Sequence, residues 1–276
     1  MVKKMIYQEG ENVLLNSEGF IEKNDLNTCI ALSEEALYDY MVEVNRYIYK
    51  LYEQVKVSSN DYIGCFFISC NNRIHKNFQS SLILLSRGLE EPARILIRTM
   101  LETVVIAQAI FNDPKNYAKW KSNQKIEANR LIDDINRKKE GLAQLKGKVS
   151  TEKLYPNQTK THISEWARLA DMEEEYNIAY RFLSGNVHFS YRSYEQDFCC
   201  ENGKIVAMNV GPQMENQRGI ITTMLDIMLR MIRIFRTYFQ IEDTEYENIY
   251  LQLEMFQEKV LTEKNLNIKS TSTSKY

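Results

Sequence analysis

Two short stretches combine residue types that can do chemistry at spacings a helix would gather on one side. In the first, Arg94, Arg98 and Glu102 recur every four residues within a run, Ala93 to Phe111, that is otherwise nearly all apolar. Steps of four keep side chains on one helical stripe. Charge set where a core should be is costly unless paired, so Arg98 and Glu102 are expected to pair with each other or with a third polar group in a cleft. In the second stretch, Tyr180, Ser184 and His188 are again four apart, and Arg181 precedes His188 by two helical turns. Arg181 and His188 can therefore converge on one phosphate-sized ligand. Gly185 between them gives up about 1 kcal/mol of helix propensity, which a close approach by another helix or a ligand would explain. Each stretch also has a plainer reading. Arg98 and Glu102 can be an ion pair that only holds the fold, and His188 a cationic histidine at a helix end.

The elements that must position these residues are helical. Apolar residues return at steps of three and four along most of the chain, with only 10 Gly and 4 Pro in 276 residues. The spacing predicts helices from about Asp25 to Val57, Tyr62 to Leu89, Ala93 to Phe111, Ile163 to Met172, Glu173 to Val187, Gln213 to Gln240 and Thr244 to Glu263. The polar Ser58 to Asp61 cluster, Gly88 before Glu90-Glu91-Pro92, and Asn112-Asp113-Pro114 punctuate them. The Ala93 to Phe111 helix is apolar around most of its circumference and should be central. Asn202-Gly203 beside Ile205-Val206 predicts a small hairpin over 196–210. Residues 114–160 hold twelve Lys and Arg against five Asp and Glu. They read as a solvated helical segment or as a contact for nucleic acid. Residues 1–24 read as an N-terminal extension and 264–276 as a disordered tail. The expected fold is an all-α single domain, a bundle of seven or eight helices with that hairpin inserted.

Composition narrows the function classes. A net charge of -2 removes any whole-protein case for nucleic-acid binding, so partners must be argued locally. The five cysteines show no paired CxxC spacing, and adjacent Cys199 and Cys200 could close only a strained ring, which points to free thiols in a reducing cytoplasm. No metal site or cofactor motif is readable: GxxxxGK[ST], GxGxxG, GxSxG and HExxH are all missing from the sequence. No run approaches about 18 uncharged apolar residues, so no membrane span is expected. The best candidate, Ile220 to Phe235, is interrupted by Asp226, Arg230 and Arg233.

The pairing of Arg98-Thr-Met-Leu-Glu102 with Tyr180-Arg-Phe-Leu-Ser184-Gly-Asn-Val-His188 resembles a family of uncharacterised bacterial helical proteins that share an Arg-x-x-x-Glu and a Ser-x-x-x-His element. The resemblance covers roughly Ser80 to Phe239. More distantly, Arg181 followed after six residues by His188 is similar to the Arg-x4-6-His motif of HEPN domains, the helical nucleases of toxin–antitoxin, abortive-infection and phage-defence systems. HEPN nucleases carry a polar residue after the arginine where this chain has Phe182. The resemblance implies metal-independent RNA cleavage at a homodimer interface, within a defence or toxin system that also supplies a partner protein. In such chemistry the ribose 2′-OH attacks the neighbouring phosphate. His188, with an unperturbed pKa of about 6.5, would move the proton, and Arg181, or alternatively Arg98, would hold the developing charge by forked hydrogen bonds. Ser184 and Tyr180 would position, and Glu102 would orient an arginine. Residues 114–160 and the series Arg230, Arg233, Arg236 could contact the RNA backbone. The competing expectation is a non-catalytic sensor or scaffold of a defence system, in which Arg98, Glu102, Ser184 and His188 form a buried network.

Overall fold

The structure, a computed structural model, describes residues 35–137, 160–184, 198–201, 204–208 and 217–258. The fold is all-α, with a single two-stranded sheet among the described residues. In chain order the helices are α1 (Glu35–Gln54), α2 (Tyr62–Leu85), α3 (Glu90–Asn112), α4 (Asn116–Arg137), α5 (Ile163–Leu169) and α6 (Glu173–Ser184). Strands β1 (Phe198–Glu201) and β2 (Lys204–Met208) follow, then α7 (Gln217–Phe239) and α8 (residues 245–258). The sequence-predicted N-terminal extension, the C-terminal tail and the Asn202-Gly203 turn lie outside the described residues. The strands of the expected hairpin pair antiparallel, from Phe198 opposite Met208 to Glu201 opposite Lys204, with an irregularity between Cys199 and Cys200.

The chain divides into two compact units, Met1–Val104 with Asn177–Tyr276, and Val105–Tyr176. In the first unit α7 is the helix buried almost all round. Ile220, Ile221, Met224, Leu225, Ile227, Met228, Leu229, Met231, Ile232, Ile234 and Phe235 are shielded from solvent. Such a helix belongs at the centre of a core. Asp226 and Arg230, which interrupt its apolar run, pair with each other at 2.9 Å. Both α2 and α1 pack on it. Helix α1 buries Leu37, Tyr40, Met41, Val44, Tyr47, Ile48 and Leu51, a stripe of three and four residue steps. Each such side chain contributes about 1.5–3 kcal/mol on leaving water.

Local chemistry sets the ends of α2. The Asp61 carboxylate caps its start, accepting from the Gly64 N–H at 2.8 Å, and the same oxygen accepts from the Tyr238 hydroxyl at 2.9 Å. A Cβ at Gly64 would lie 2.2 Å from the other Asp61 oxygen, so only glycine lets this cap close. Beyond Leu85 the chain turns through Gly88, whose φ of 65° suits glycine, and Leu89 N–H donates back to Leu84. Helix α3 then begins at Glu90 with Pro92 in its first turn, as the sequence predicts. By length and composition α3 could cross a membrane. Its first-unit residues Ala93, Ile97, Met100, Leu101 and Val104 are instead packed inside the protein, as in a core helix.

The second unit holds α4 and α5, and Trp166 of α5 is buried in it. Asn123 on α4 accepts from Thr161 N–H at 3.1 Å, tying the approach to α5 onto α4. Much of its positive charge is already answered. Lys119 lies 3.7 Å from Glu165 and over the Trp166 ring, Lys160 is 2.6 Å from Glu127, and Arg168 pairs with Glu165.

Candidate functional site

Four charged residues, Glu90, Arg94, Arg98 and Glu102, follow one another at steps of four along α3 within the first unit. The geometry makes them a ladder. Arg94 lies 3.7 Å from Glu90, both side chains only 4% exposed. Arg98 Nε donates to Glu102 at 3.1 Å, with the side chains 15% and 36% exposed. Two anions thus flank two cations, and the stripe is neutral as a whole.

Helix α6 closes onto this stripe through two aromatic rings. The Arg94 guanidinium sits 4.6 Å over the Phe182 ring and that of Arg98 4.3 Å over the Tyr180 ring. The order along the two helices is reversed, so they run antiparallel where they meet. Each stack adds cation–π attraction that strengthens as water is excluded. Arg98 Nη2 also donates to the Tyr180 hydroxyl, a contact between residues 82 apart in sequence. Two residues therefore hold the guanidinium: Glu102 through its carboxylate, and Tyr180 through both its hydroxyl and its ring. Its Nη1 is buried with no hydrogen bond among the described residues.

Of the six residues singled out from the sequence, the structure brings three together: Arg98, Glu102 and Tyr180. Arg181 is exposed in the last turn of α6. Ser184 ends that helix, and His188 lies outside the described residues. Phe182, the departure from the HEPN pattern, has a use here as the platform for Arg94. Among the arginines of α7, Arg236 is turned inward to the Asp243 carbonyl oxygen at 2.9 Å and stacks on Tyr246, Arg230 is tied to Asp226, and Arg233 is exposed. They do not form a continuous cationic edge.

A second polar cluster escaped the sequence reading. His75 on α2 is buried, and the tautomer that fits its surroundings donates from Nε2 to the Asn45 amide oxygen at 2.8 Å. Gln79 donates to the same oxygen at 3.1 Å and brings its amide nitrogen within 3.3 Å of His75 Nε2. The Tyr49 ring meets the imidazole edge-on at 5.0 Å and the Tyr52 ring lies 6.0 Å away. Desolvation by burial pulls the His75 pKa below its ordinary value, and burial pushes the Tyr52 hydroxyl up to about 12. The signal was present as Asn71-x-x-x-His75-x-x-x-Gln79 and Asn45-x-x-x-Tyr49, polar residues at helical spacing on two otherwise apolar faces.

Among the described residues no three His, Cys, Asp or Glu side chains are grouped so as to hold a metal ion. Cys65 and Cys70 are free thiols, the second pushed up to about 12 by burial.

Residues 65–205 match the family of unknown function DUF5677. That span is more than half of the chain and includes every candidate residue of the α3–α6 cluster. The chain belongs to the DUF5677 family. No curated protein and no solved structure matches it.

Proposed function

We propose that this member of the DUF5677 family is a HEPN-like endoribonuclease that cuts RNA without a metal ion, acting as a cytoplasmic homodimer in a bacterial antiviral defence or toxin system. The observation behind this reading is the contact of Arg98 with Tyr180, which joins the Arg-x-x-x-Glu element of α3 to the element that carries Arg181. In this mechanism His188 takes the proton of the ribose 2′-OH while that oxygen bonds to the adjacent phosphorus. The phosphorus–O5′ bond breaks, the proton passes to the departing 5′ oxygen, and a 2′,3′-cyclic phosphate remains. Arg181, exposed, is the donor to the phosphate oxygens. Arg98 is already held by Glu102 and Tyr180 and acts as a positioning residue, with Ser184 placing the substrate. A partner protein of the same system would restrain the activity, so the isolated chain is the active form.

A second reading rests on a specific observation as well. Both α3 guanidinium groups are engaged by carboxylates and rings, the pattern of a seam that holds helices together, and the chain would then be a non-catalytic sensor or scaffold. Purified protein in EDTA, offered total RNA and end-labelled oligoribonucleotides, separates the two. Cleavage by wild type that disappears in both His188→Ala and Arg181→Ala, with unchanged melting temperatures, is the expected result. Wild type that cleaves neither RNA, or variants that cleave as wild type does, overturns the nuclease reading.

A further inference from the structure

The α1–α2 contact contains a buried histidine that the nuclease reading does not use, together with polar groups that the folded state leaves poorly matched. His75 faces three groups on α1: the Asn45 amide at 2.8 Å and the rings of Tyr49 and Tyr52. None of them is an anion. On its own helix, Gln79 presents an amide nitrogen to it, and Arg73 and Lys76 are exposed. The flanking charges of α1, Arg46, Lys50 and Glu53, are likewise exposed, and Lys50 is taken up by Glu245. From α7, Phe235 reaches the cluster by packing on Tyr52, while the neighbouring Arg236 pairs with Asp243 and Glu247. An imidazolium at position 75 would therefore be enclosed by neutral dipoles and rings, with no carboxylate to pair it. A buried charge in that position is costly.

One helical turn before His75, Asn71 is fully buried. Neither atom of its amide, nor the Tyr52 hydroxyl against which it lies, closes a hydrogen bond of good geometry among the described residues. Separating α1 from α2 would return these groups to water, which lowers the cost of opening at this seam.

We propose that the seam of α1 and α2 is an acid-labile latch, closed while His75 is neutral and released when the imidazole takes up a proton. The sign follows from linkage. The folded protein binds the proton on His75 less readily than the opened form does, so the closed state is at full strength above the ordinary histidine pKa of about 6.5. It weakens as pH falls from there to the lower folded value. The opening constant then rises by at most tenfold per unit of pH.

Hydrogen exchange followed by mass spectrometry on the whole chain tests this, comparing peptides of α1 at about pH 7.5 and about pH 5.5 after correction for the intrinsic rate. In wild type the α1 opening constant should rise roughly tenfold at the lower pH while α7 changes little. His75→Gln, which cannot charge, should lose that pH dependence. Asn45→Asp supplies the missing carboxylate beside the imidazole and should reverse it, so that α1 is better protected at about pH 5.5. Equal pH dependence in wild type and His75→Gln, no change of α1 in wild type, or loss of protection in α1 and α7 together would overturn the proposal.

Discussion

Between α3 and α6 the inward polar groups are ions, and between α1 and α2 they are neutral dipoles. The first seam sets Glu90 and Glu102 at the two ends of Arg94 and Arg98 and covers the guanidinium faces with Phe182 and Tyr180. Its charges come in equal number and each cation has its anion one turn away, so burial costs little that pairing does not offset. The second seam sets a titratable ring among amides and phenols with no counter-ion. The difference lies in what each tolerates. The ionic seam resists loss of a partner poorly, and the neutral seam resists gain of a proton poorly.

The largest effect is expected at the most buried ion pair. Arg94→Ala leaves the Glu90 carboxylate inside the protein without its guanidinium and uncovers the Phe182 ring, so thermal or urea unfolding should show a loss of about 3 kcal/mol. A smaller loss than that of Asn45→Ala would undo the contrast between the seams. Asn45→Ala removes the oxygen that accepts from both His75 and Gln79 and should cost about 2 kcal/mol by the same measurement. Glu102→Gln touches a pair that water and salt reach, so its cost should be about 0.5 kcal/mol and shrink in high salt. The smallest effect is expected at Asn71. Replacing an amide that makes no good hydrogen bond with leucine, which has the same branched skeleton, should be neutral, or stabilising by up to about 1 kcal/mol. A strong loss there would mean that the amide is satisfied, and would remove one support of the latch.

Much of this was legible beforehand, and the reasons are local. The four-residue steps of Arg94, Arg98 and Glu102 announce a stripe because helical geometry is fixed by the backbone alone. Asp61, Gly88 and Pro92 announce boundaries because capping and φ preferences are properties of single residues. The hairpin strands followed from β-branched residues beside Asn202-Gly203. Centrality was only partly readable. The third helix was expected at the centre, and the helix buried nearly all round in the first unit is α7, whose charged interruptions cancel as Asp226 with Arg230. The basic count over 114–160 likewise did not disclose that Lys119 and Lys160 are met by Glu165 and Glu127. Charge counts ignore where carboxylates return in space.

The amino-acid sequence by itself determined that the chain is helical, where most helices begin and end, and that α3 carries a charged stripe. These depend on interactions within a few residues, which spacing records. Only the tertiary structure decided which rings cover the guanidinium groups, that Tyr180 closes on Arg98, and that His75 meets Asn45 thirty residues away on another helix. Those pairings arise when separate amphipathic faces are pressed together, and the free energy that selects them belongs to the packed core as a whole.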